Sequence, residues 1–168
     1  MKATLIALAA LFFPVILFSQ DISGLWTGTI KQDGEAQSMP YEVFISKEKG
    51  KAKFSGYSKT MYLDEGKECY SIKKLKVSIA KDGKIVLLDA TVIENDYPFI
   101  DKYGKQLNVL DLLANDAGSA LDGIFVNNPK FSNTMGKISL KRVSSLTESS
   151  LMRYLEKISG GNDITAVK

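Results

Sequence analysis

Between residues 22 and 143 the chain is built from short runs in which apolar and polar side chains alternate, separated by turns rich in Gly, Asp, Asn and Lys. Successive side chains of a β-strand point to opposite faces, so this alternation predicts strands with one buried face. The predicted strands are eight in number: 22–31, 41–47, 51–57, 68–80, 84–94, 106–113, 120–127 and 136–143. The fold class is therefore mainly all-β.

The connections between most of these strands are short enough to be hairpins. Turns are predicted at 48–50, 81–83 and 115–118, and the Asp-Gly pair at 82–83 is the strongest hairpin signal of the three. An order in which each strand pairs with the next needs no crossover connection. Eight such strands close into a small barrel, which removes exposed sheet edges. We therefore predict an eight-stranded antiparallel up-and-down barrel.

One α-helix is predicted after the last strand. Residues 145–148 have the sequence of a helix capping box, and Gly160-Gly161 ends the helical pattern. Between them an apolar stripe recurs at helical spacing and comprises Leu151, Met152, Leu155 and Ile158. The simplest interpretation is that this stripe packs on the outside of the barrel. The alternative is a helix that docks on a protein partner or a membrane surface.

The first 19 residues predict export. One charged residue, Lys2, precedes an uncharged apolar run that ends at small Ser19, the pattern of a cleavable signal peptide. The alternative, a membrane anchor, is disfavoured because the run is shorter than the roughly 20 residues that span a bilayer. The predicted organisation is a signal peptide over 1–19, a barrel over 20–143, and a helix and tail packed on the barrel over 144–168. The expected location is periplasmic or extracellular, with no transmembrane segment after cleavage.

Composition narrows the chemistry. The chain has no histidine and one cysteine, Cys69, so His-dependent nucleophilic systems, His-built or multi-Cys zinc sites and an internal disulfide cannot be assembled. We interpret Cys69 as buried and inert. Basic and acidic residues number 22 and 19, which favours no nucleic-acid partner, although Lys73, Lys74 and Lys76 form a small basic cluster. We expect no metal and no cofactor.

Carboxylates are the remaining candidates for chemistry. Residues 94–101 carry acidic groups that could suggest a calcium loop, but they lack the ligand spacing of such a loop. Acidic residues at 64–68, and the pair Asp111 and Asp116, could be offered as the acid and base of a glycosidase. Turns and solvated faces account for all of them more simply. We therefore predict no catalytic residue and expect the protein not to be an enzyme.

Aromatic residues point to a different activity. The loop 95–105 contains Tyr97 and Phe99, and the segment 58–67, which contains Tyr62, is interpreted as a second loop. Long aromatic loops at a barrel mouth can cover a ligand. Tyr57 and Phe125 are expected to face the interior with Phe54 and Leu87, where they would fill a core or line a cavity. The predicted ligand-binding residues are Tyr57, Tyr62, Tyr97, Phe99 and Phe125.

Several short motifs resemble the lipocalins and their calycin relatives. Gly24-Leu25-Trp26 heads the first strand, as the Gly-x-Trp signature of that family does, and 54–56, 121–125 and 136–142 fit the same outline. The resemblance covers roughly residues 22–158. It implies a barrel whose floor is closed by Trp26, with Arg142 packed over it, so both residues would be structural. The usual disulfides and the Thr-Asp-Tyr motif of typical lipocalins are absent.

Two function classes follow. The first is an exported binding protein that holds an unidentified small, largely apolar ligand inside the barrel. The second is an envelope or secreted interaction module, an inhibitor or assembly factor, that acts on a protein partner through its loops or its C-terminal helix. A histidine-free enzyme and a transmembrane barrel are weaker alternatives, the latter because lysines are too frequent on strands three, four and eight.

Overall fold

The strands close into a barrel. The computed structural model describes residues 21–50, 53–97, 105–115, 118–127 and 134–159, over which it has eight antiparallel strands and one helix. They are β1 Gly24–Gln32, β2 Met39–Lys47, β3 Phe54–Asp64, β4 Lys67–Ile79, β5 Ile85–Asn95, β6 Gln106–Asn115, β7 Gly118–Asn127, β8 Met135–Val143 and α1 Ser150–Ile158. Each strand pairs with the next, and β8 pairs with β1. The predicted fold class and the up-and-down order are confirmed, and the proposed signal peptide lies outside the described residues.

Local turn chemistry explains the hairpin between β4 and β5. Gly83 has a positive φ of 85°, a conformation that glycine adopts without steric cost. The backbone N–H of Ala80 donates to the carbonyl of Lys84 at 2.8 Å, which closes the turn. The turn predicted at 81–83 is therefore confirmed.

The segment 58–67 is not a loop, and that prediction is wrong. β3 runs on to Asp64, and β4 begins at Lys67, so only Glu65 and Gly66 lie between them. Both have positive φ values, 48° and 81°, as a tight hairpin turn requires. In the barrel, Ser58 and Thr60 of this segment point to the interior and Lys59 to the outer surface, as residues of a strand do. The continuation of β3 brings Tyr62 into the barrel wall.

The interior core is apolar and closely packed at the end of the barrel where Trp26 lies. Trp26 is fully buried, and its indole Nε1 donates to the carbonyl of Ile22 at 3.0 Å. Buried interior side chains come from strands around the whole barrel and include Val43, Ile45, Leu75, Leu87, Leu110, Leu121, Ile138 and Leu140. Burial of each large aliphatic side chain contributes about 1.5–3 kcal/mol, so this end is a filled core.

Phe125 has its place in the interior because the residue opposite it is a glycine. Gly136 pairs with Phe125 across β7 and β8. A Cβ at Gly136 would lie 2.5 Å from Cε1 of the Phe125 ring and 2.0 Å from the carbonyl oxygen of Lys31. Neither approach is sterically possible, so glycine is required for the ring to lie against the wall.

The helix packs on the outer face of the barrel. Leu151, Met152 and Leu155 of α1 are buried against Leu25, Phe44 and Ile72, which are the outward residues of β1, β2 and β4. The apolar stripe therefore already has a partner within the chain, and only Ile158 at its end stays half exposed. Within the described ranges, no helix combines the length and the apolar character needed to cross a membrane.

The start of the helix is held by a carboxylate from the sheet. Glu42 on β2 accepts hydrogen bonds from the backbone N–H groups of Ser150, at 3.3 Å, and Leu151, at 2.9 Å. Ser149 is the N-cap, and its hydroxyl accepts from the N–H of Met152 at 3.1 Å. The predicted capping box at 145–148 is therefore wrong. Negative charge is favourable at a helix N-terminus, and here it comes from a strand far away in sequence.

The middle of the helix is also joined to the sheet by hydrogen bonds. The hydroxyls of Tyr70 on β4 and Tyr154 on α1 both donate to the carboxylate of Glu94 on β5. These bonds hold the pKa of Glu94 below its usual range. Lys59 lies 4.7 Å from the centre of the Tyr70 ring, on the same outer surface.

The outer wall away from the helix carries an apolar surface. Leu107 on β6 pairs with Val126 on β7, which pairs with Met135 on β8. Val109 and Ile124 form the adjacent row. Three of these side chains, Leu107, Ile124 and Met135, are 37%, 52% and 49% exposed. We call these five residues the outer apolar rows.

Candidate functional site

The interior changes character between the two ends of the barrel. Towards the end opposite Trp26, buried or nearly buried polar side chains replace aliphatic ones on the wall formed by β2 to β6, while Ile30, Phe125 and Ile138 keep the facing wall apolar. The polar side chains are Tyr41, Ser58, Thr60, Ser71, Lys73, Asp89 and Asn108. They come from five consecutive strands, β2 to β6. A polar group that loses water without a hydrogen-bond partner destabilises a protein, so a cluster of this size is unusual in a barrel that only needs a core. We call it the interior polar cluster.

Strand alternation explains why these side chains face inward. On β3, Ser58 and Thr60 follow the interior Gly56 at intervals of two, and on β4, Ser71 and Lys73 precede the interior Leu75 in the same way. The register between the strands pairs Ser58 with Lys73 and Thr60 with Ser71. The cluster is therefore a continuous patch on the inner wall.

An ion pair lies at the centre of the cluster. Nζ of Lys73 is 2.5 Å from Oδ2 of Asp89, and the two side chains are only 12% and 6% exposed. The same Asp89 oxygen accepts from the backbone N–H of Gln106 at 3.1 Å. Lys73 was grouped by sequence in a small basic cluster with Lys74 and Lys76, and the structure separates it from these two exposed residues. A buried pair is costly to desolvate and gives little net stability, so the stability of the fold does not by itself account for it.

Asp89 lies where β5 and β6 stop pairing. The ladder between these strands has four residue pairs, Ile85 to Leu88 with Leu110 to Leu107, and no further pair is seen among the described residues. The backbone N–H of Gln106 on β6 donates to the Asp89 carboxylate instead of to a backbone carbonyl of β5. β5 itself continues to Asn95 and remains paired with β4.

A cleft of about 420 Å³ follows this unpaired part of β5. Residues 89–95 line it on one side, and Lys105 contributes from the other. Asp89 therefore belongs both to the interior ion pair and to the cleft. Ser71 and Lys73 are paired with Asn95 and Val92 on the strand that lines the cleft. A small molecule in the cleft would lie next to the interior polar cluster.

Tyr41 and Asn108 are joined by a hydrogen bond inside the barrel. The Tyr41 hydroxyl accepts from Nδ2 of Asn108 at 3.1 Å, and the Asn108 oxygen accepts from Nε2 of Gln106 at 2.7 Å. Burial, and secondly the charge of Asp89, raises the pKa of Tyr41 far above its usual range. Tyr41 is therefore a neutral hydrogen-bonding group in the cluster.

Ser71 is the exception in an otherwise bonded cluster. The residue is 1% exposed, and its Oγ has no hydrogen-bond partner among the described residues. Two other buried oxygens share this property there, Oδ1 of Asn95 and Oδ1 of Asp122. Buried polar atoms in proteins are normally bonded, so the Ser71 hydroxyl has hydrogen-bonding capacity that the described residues do not use.

Tyr62 and Tyr97 meet at the edge of the cluster. Their rings are stacked, with centroids 4.3 Å apart and planes inclined by 9°. Burial raises the pKa of Tyr62 to about 12, so its hydroxyl is neutral at physiological pH. Of the five predicted ligand-binding residues, these two are brought together.

Of the other three predicted ligand residues, Phe125 and Tyr57 lie on opposite sides of the barrel wall. Phe125 is part of the interior core and pairs with Asn108 of the cluster. Tyr57 packs with the residues beneath α1, so the expectation that it faces the interior is wrong. Phe99 lies outside the described residues. The separation of Tyr57 from Tyr62 follows from strand geometry, since residues five apart on one strand point to opposite faces.

The sequence reasoning missed the interior polar cluster. The sequence nevertheless contained a signal for it. Ser58, Thr60, Ser71 and Lys73 are each an even number of residues from an apolar residue of the same strand, so they point to the same face as that residue. A lysine that points inward needs a carboxylate partner. Asp89 is two residues after Leu87 on β5 and therefore points to the same face, which makes it a candidate partner. The lysine-rich composition of β4 concealed this, because Lys73 was grouped with its neighbours in sequence rather than with its face.

Arg142 and Trp26 meet at the other end of the barrel. They are register partners on β8 and β1, and the guanidinium carbon of Arg142 is 5.4 Å from the centre of the Trp26 ring. Arg142 also donates to the carbonyl of Ser23 and lies 3.5 Å from a carboxylate oxygen of Asp21. This arrangement holds residues 21–23 over the end of the barrel.

The carboxylates and the cysteine considered in the sequence analysis form no catalytic or metal-binding group among the described residues. Asp111 pairs with Lys84 at 2.7 Å on the surface, and Asp116 lies outside the described residues. In the part of the chain that the structure describes, no group of three or more His, Cys, Asp or Glu side chains could hold a metal ion. Cys69 is buried and not in a disulfide.

Comparisons with known proteins give no match to this chain among family models, curated proteins or solved structures. The barrel is compatible with a lipocalin-like fold. The case for function therefore rests on the interior polar cluster and the cleft beside it.

Proposed function

We propose that this chain is an exported, lipocalin-like binding protein that holds a small, largely apolar ligand in the polar half of its barrel. The observation that carries the proposal is the interior polar cluster with its orphan Ser71 hydroxyl, next to a cleft of about 420 Å³. That volume lies within the range typical of small-molecule sites, about 300–1,000 Å³.

The division of the interior supports binding over a purely structural barrel. The half near Trp26 is already filled by aliphatic side chains, which stabilise the fold. The other half contains a buried ion pair and several hydroxyl groups, whose burial costs stability. A protein that keeps such groups in its interior gains from them only if they contact something, and a ligand is the simplest candidate.

The arrangement also favours binding over catalysis. The charged groups of the cluster are one matched pair, Lys73 and Asp89, and the phenols of Tyr41 and Tyr62 are neutral because burial raises their pKa values. Such groups orient a ligand by hydrogen bonds. Export is proposed on the signal-like residues 1–19.

Native mass spectrometry of the full chain, purified from the cells that produce it, tests the proposal. We expect a bound small molecule in the wild type. Its mass should be absent from Ser71→Leu, which fills the position of the orphan hydroxyl, and present in the control Ser139→Leu, whose side chain is on the outer face of β8. An unliganded wild type that also gains no thermal stability from a panel of apolar and amphipathic molecules would overturn the proposal.

The second candidate, a protein interaction module, is favoured by the outer apolar rows. The helix stripe proposed for this role is covered by the barrel, whereas Leu107, Ile124 and Met135 are open to a partner. The partner we consider is a second copy of the chain, since two such flat faces can pack on each other around a two-fold axis. Sedimentation of the wild type against Ile124→Lys tests this candidate, which fails if both are monomers.

A further inference from the structure

The interior polar cluster is electrically balanced before any ligand enters. Lys73 contributes one positive charge and Asp89 one negative charge, 2.5 Å apart. The phenols of Tyr41 and Tyr62 are neutral at physiological pH, and burial raises both pKa values further. Serine, threonine and asparagine side chains supply the rest of the cluster. Glu94 and Lys105, which line the cleft, carry opposite charges, so the described residues of the cluster and the cleft leave no net charge for a charged ligand to neutralise.

This balance discriminates among ligand head groups. A carboxylate that approached Lys73 would face Asp89 at close range, and an ammonium that approached Asp89 would face Lys73. Either ion would also lose its hydration on entering the interior, a cost that an existing ion pair cannot offset. A neutral hydroxyl or amide meets neither repulsion nor the desolvation penalty of a full charge.

Ser71 provides the matching contact. Its hydroxyl can donate one hydrogen bond and accept others, and among the described residues it does neither. It lies on β4 two residues before Lys73, and its partner on β5 is Asn95, which lines the cleft. A head group bonded to Ser71 would therefore lie beside the ion pair.

The filled half of the barrel determines where the rest of the ligand goes. Aliphatic residues such as Leu75, Leu87 and Leu110 occupy the interior on the Trp26 side of the cluster. A chain attached to the head group must run the other way, along the cleft, where Ala90, Val92 and Ile93 are among the lining residues. The ligand would thus enter head first.

We propose that the ligand is an uncharged amphiphile, whose hydroxyl or amide group hydrogen-bonds to Ser71 beside the Lys73–Asp89 pair and whose apolar chain lies along the cleft. This inference rests on the proposed binding function. It adds the chemical class of the ligand and its orientation.

Titration calorimetry with decanol, decanoate and decylamine tests the class, because these probes share a chain and differ in head-group charge. At about pH 7 we expect decanol to bind at least about tenfold more tightly than either ion. Ser71→Ala should weaken decanol binding about two- to tenfold, the value of one hydrogen bond, and Ser139→Ala on the outer face should not.

Removal of one charge should reverse the preference. Asp89→Asn leaves the Lys73 ammonium unmatched, so decanoate should become the tightest of the three probes. Lys73→Met leaves Asp89 unmatched, so decylamine should. If one of these variants does not fold, the other and Ser71→Ala still test the inference.

The possible results separate the two proposals. If decanoate or decylamine binds the wild type best, the inference about the head group is wrong and the binding function stands. If decanol binds best but Ser71→Ala and Ser139→Ala behave alike, the proposed contact is wrong. If none of the probes binds, the inference is overturned, and the mass-spectrometric experiment decides the binding function separately.

Discussion

Lys73→Met offers the most informative test of the energetics inside this barrel. The substitution removes the ammonium and leaves the Asp89 carboxylate, 6% exposed, with the N–H of Gln106 but without its counter-charge. Breaking a buried ion pair by removing one partner typically costs about 3–5 kcal/mol. Because the pair lies beside the cleft, where some water reaches it, we expect the lower end, about 3 kcal/mol.

The reverse deletion should cost less. Asp89→Asn keeps an oxygen for the Gln106 N–H, and the flexible stem of Lys73 can turn its ammonium towards the cleft, so we expect about 2 kcal/mol. The double variant contains neither charge and avoids the desolvation of both, so we expect a net cost of about 1 kcal/mol or less. The coupling energy between the two sites is then at least about 4 kcal/mol.

Urea denaturation followed by fluorescence measures these values directly, since Trp26 is the only tryptophan and is fully buried at the other end of the barrel. Lys74→Met, on the outer face of the same strand, is the matched control and should change stability by less than about 0.5 kcal/mol. If the costs of the two single substitutions simply add in the double variant, Lys73 and Asp89 are not coupled and the reasoning about the interior fails.

Three further predictions concern the helix and a buried tyrosine. Glu42→Gln should lower the unfolding free energy by about 1–2 kcal/mol, because the helix N-terminus loses a charged hydrogen-bond acceptor; urea melts should give the same loss from helical circular dichroism and from fluorescence, and an unchanged midpoint would contradict the cap. Leu155→Ala should cost about 2–4 kcal/mol and Ile158→Ala less than about 1 kcal/mol in the same assay, since only the first side chain is buried against the barrel; equal costs would mean that the helix is not docked. The pKa of Tyr62 is raised from about 10 in the unfolded chain to about 12 in the folded one. The contribution of the neutral phenol to stability is therefore complete below about pH 10 and is lost as the pH rises towards about 12. Tyr62→Phe should lose less stability than the wild type over that pH range, and identical alkaline melts of the two proteins would exclude Tyr62 as a source of the loss.

Local sequence chemistry was enough to predict the strands and their order. Alternation between apolar and polar residues follows from the two-residue repeat of a strand, and Asp82-Gly83 predicts its turn because glycine tolerates positive φ. The apolar spacing of Leu151, Met152 and Leu155 predicted the helix and the face that it buries. Each of these signals acts over a few residues, so the sequence alone contains it.

Which face of a strand points inward was harder to predict for the strands beneath the helix. β2, β3 and β4 carry apolar or aromatic residues on both faces, because α1 covers their outer side. The alternation of apolar and polar residues then does not show which face of the strand is on the surface. Without the helix, the face that carries Tyr57 and the face that carries Tyr62 are equally good candidates for the inner one. This is why one of them was assigned to the wrong side.

The sequence places the members of the interior polar cluster on inward strand positions, but only the tertiary structure decides which of them meet. Two register shifts in the β4–β5 pairing flank Lys73, whose register partner is Val92 rather than Asp89, so no local pattern predicts which lysine meets which carboxylate. Glu42 and the N-terminus of α1 meet only because barrel closure brings the end of β8 back to β1 and β2. Repeating local preferences therefore determined the strands, the turns and the helix, whereas register, closure and the helix covering one wall determined which polar groups the barrel encloses.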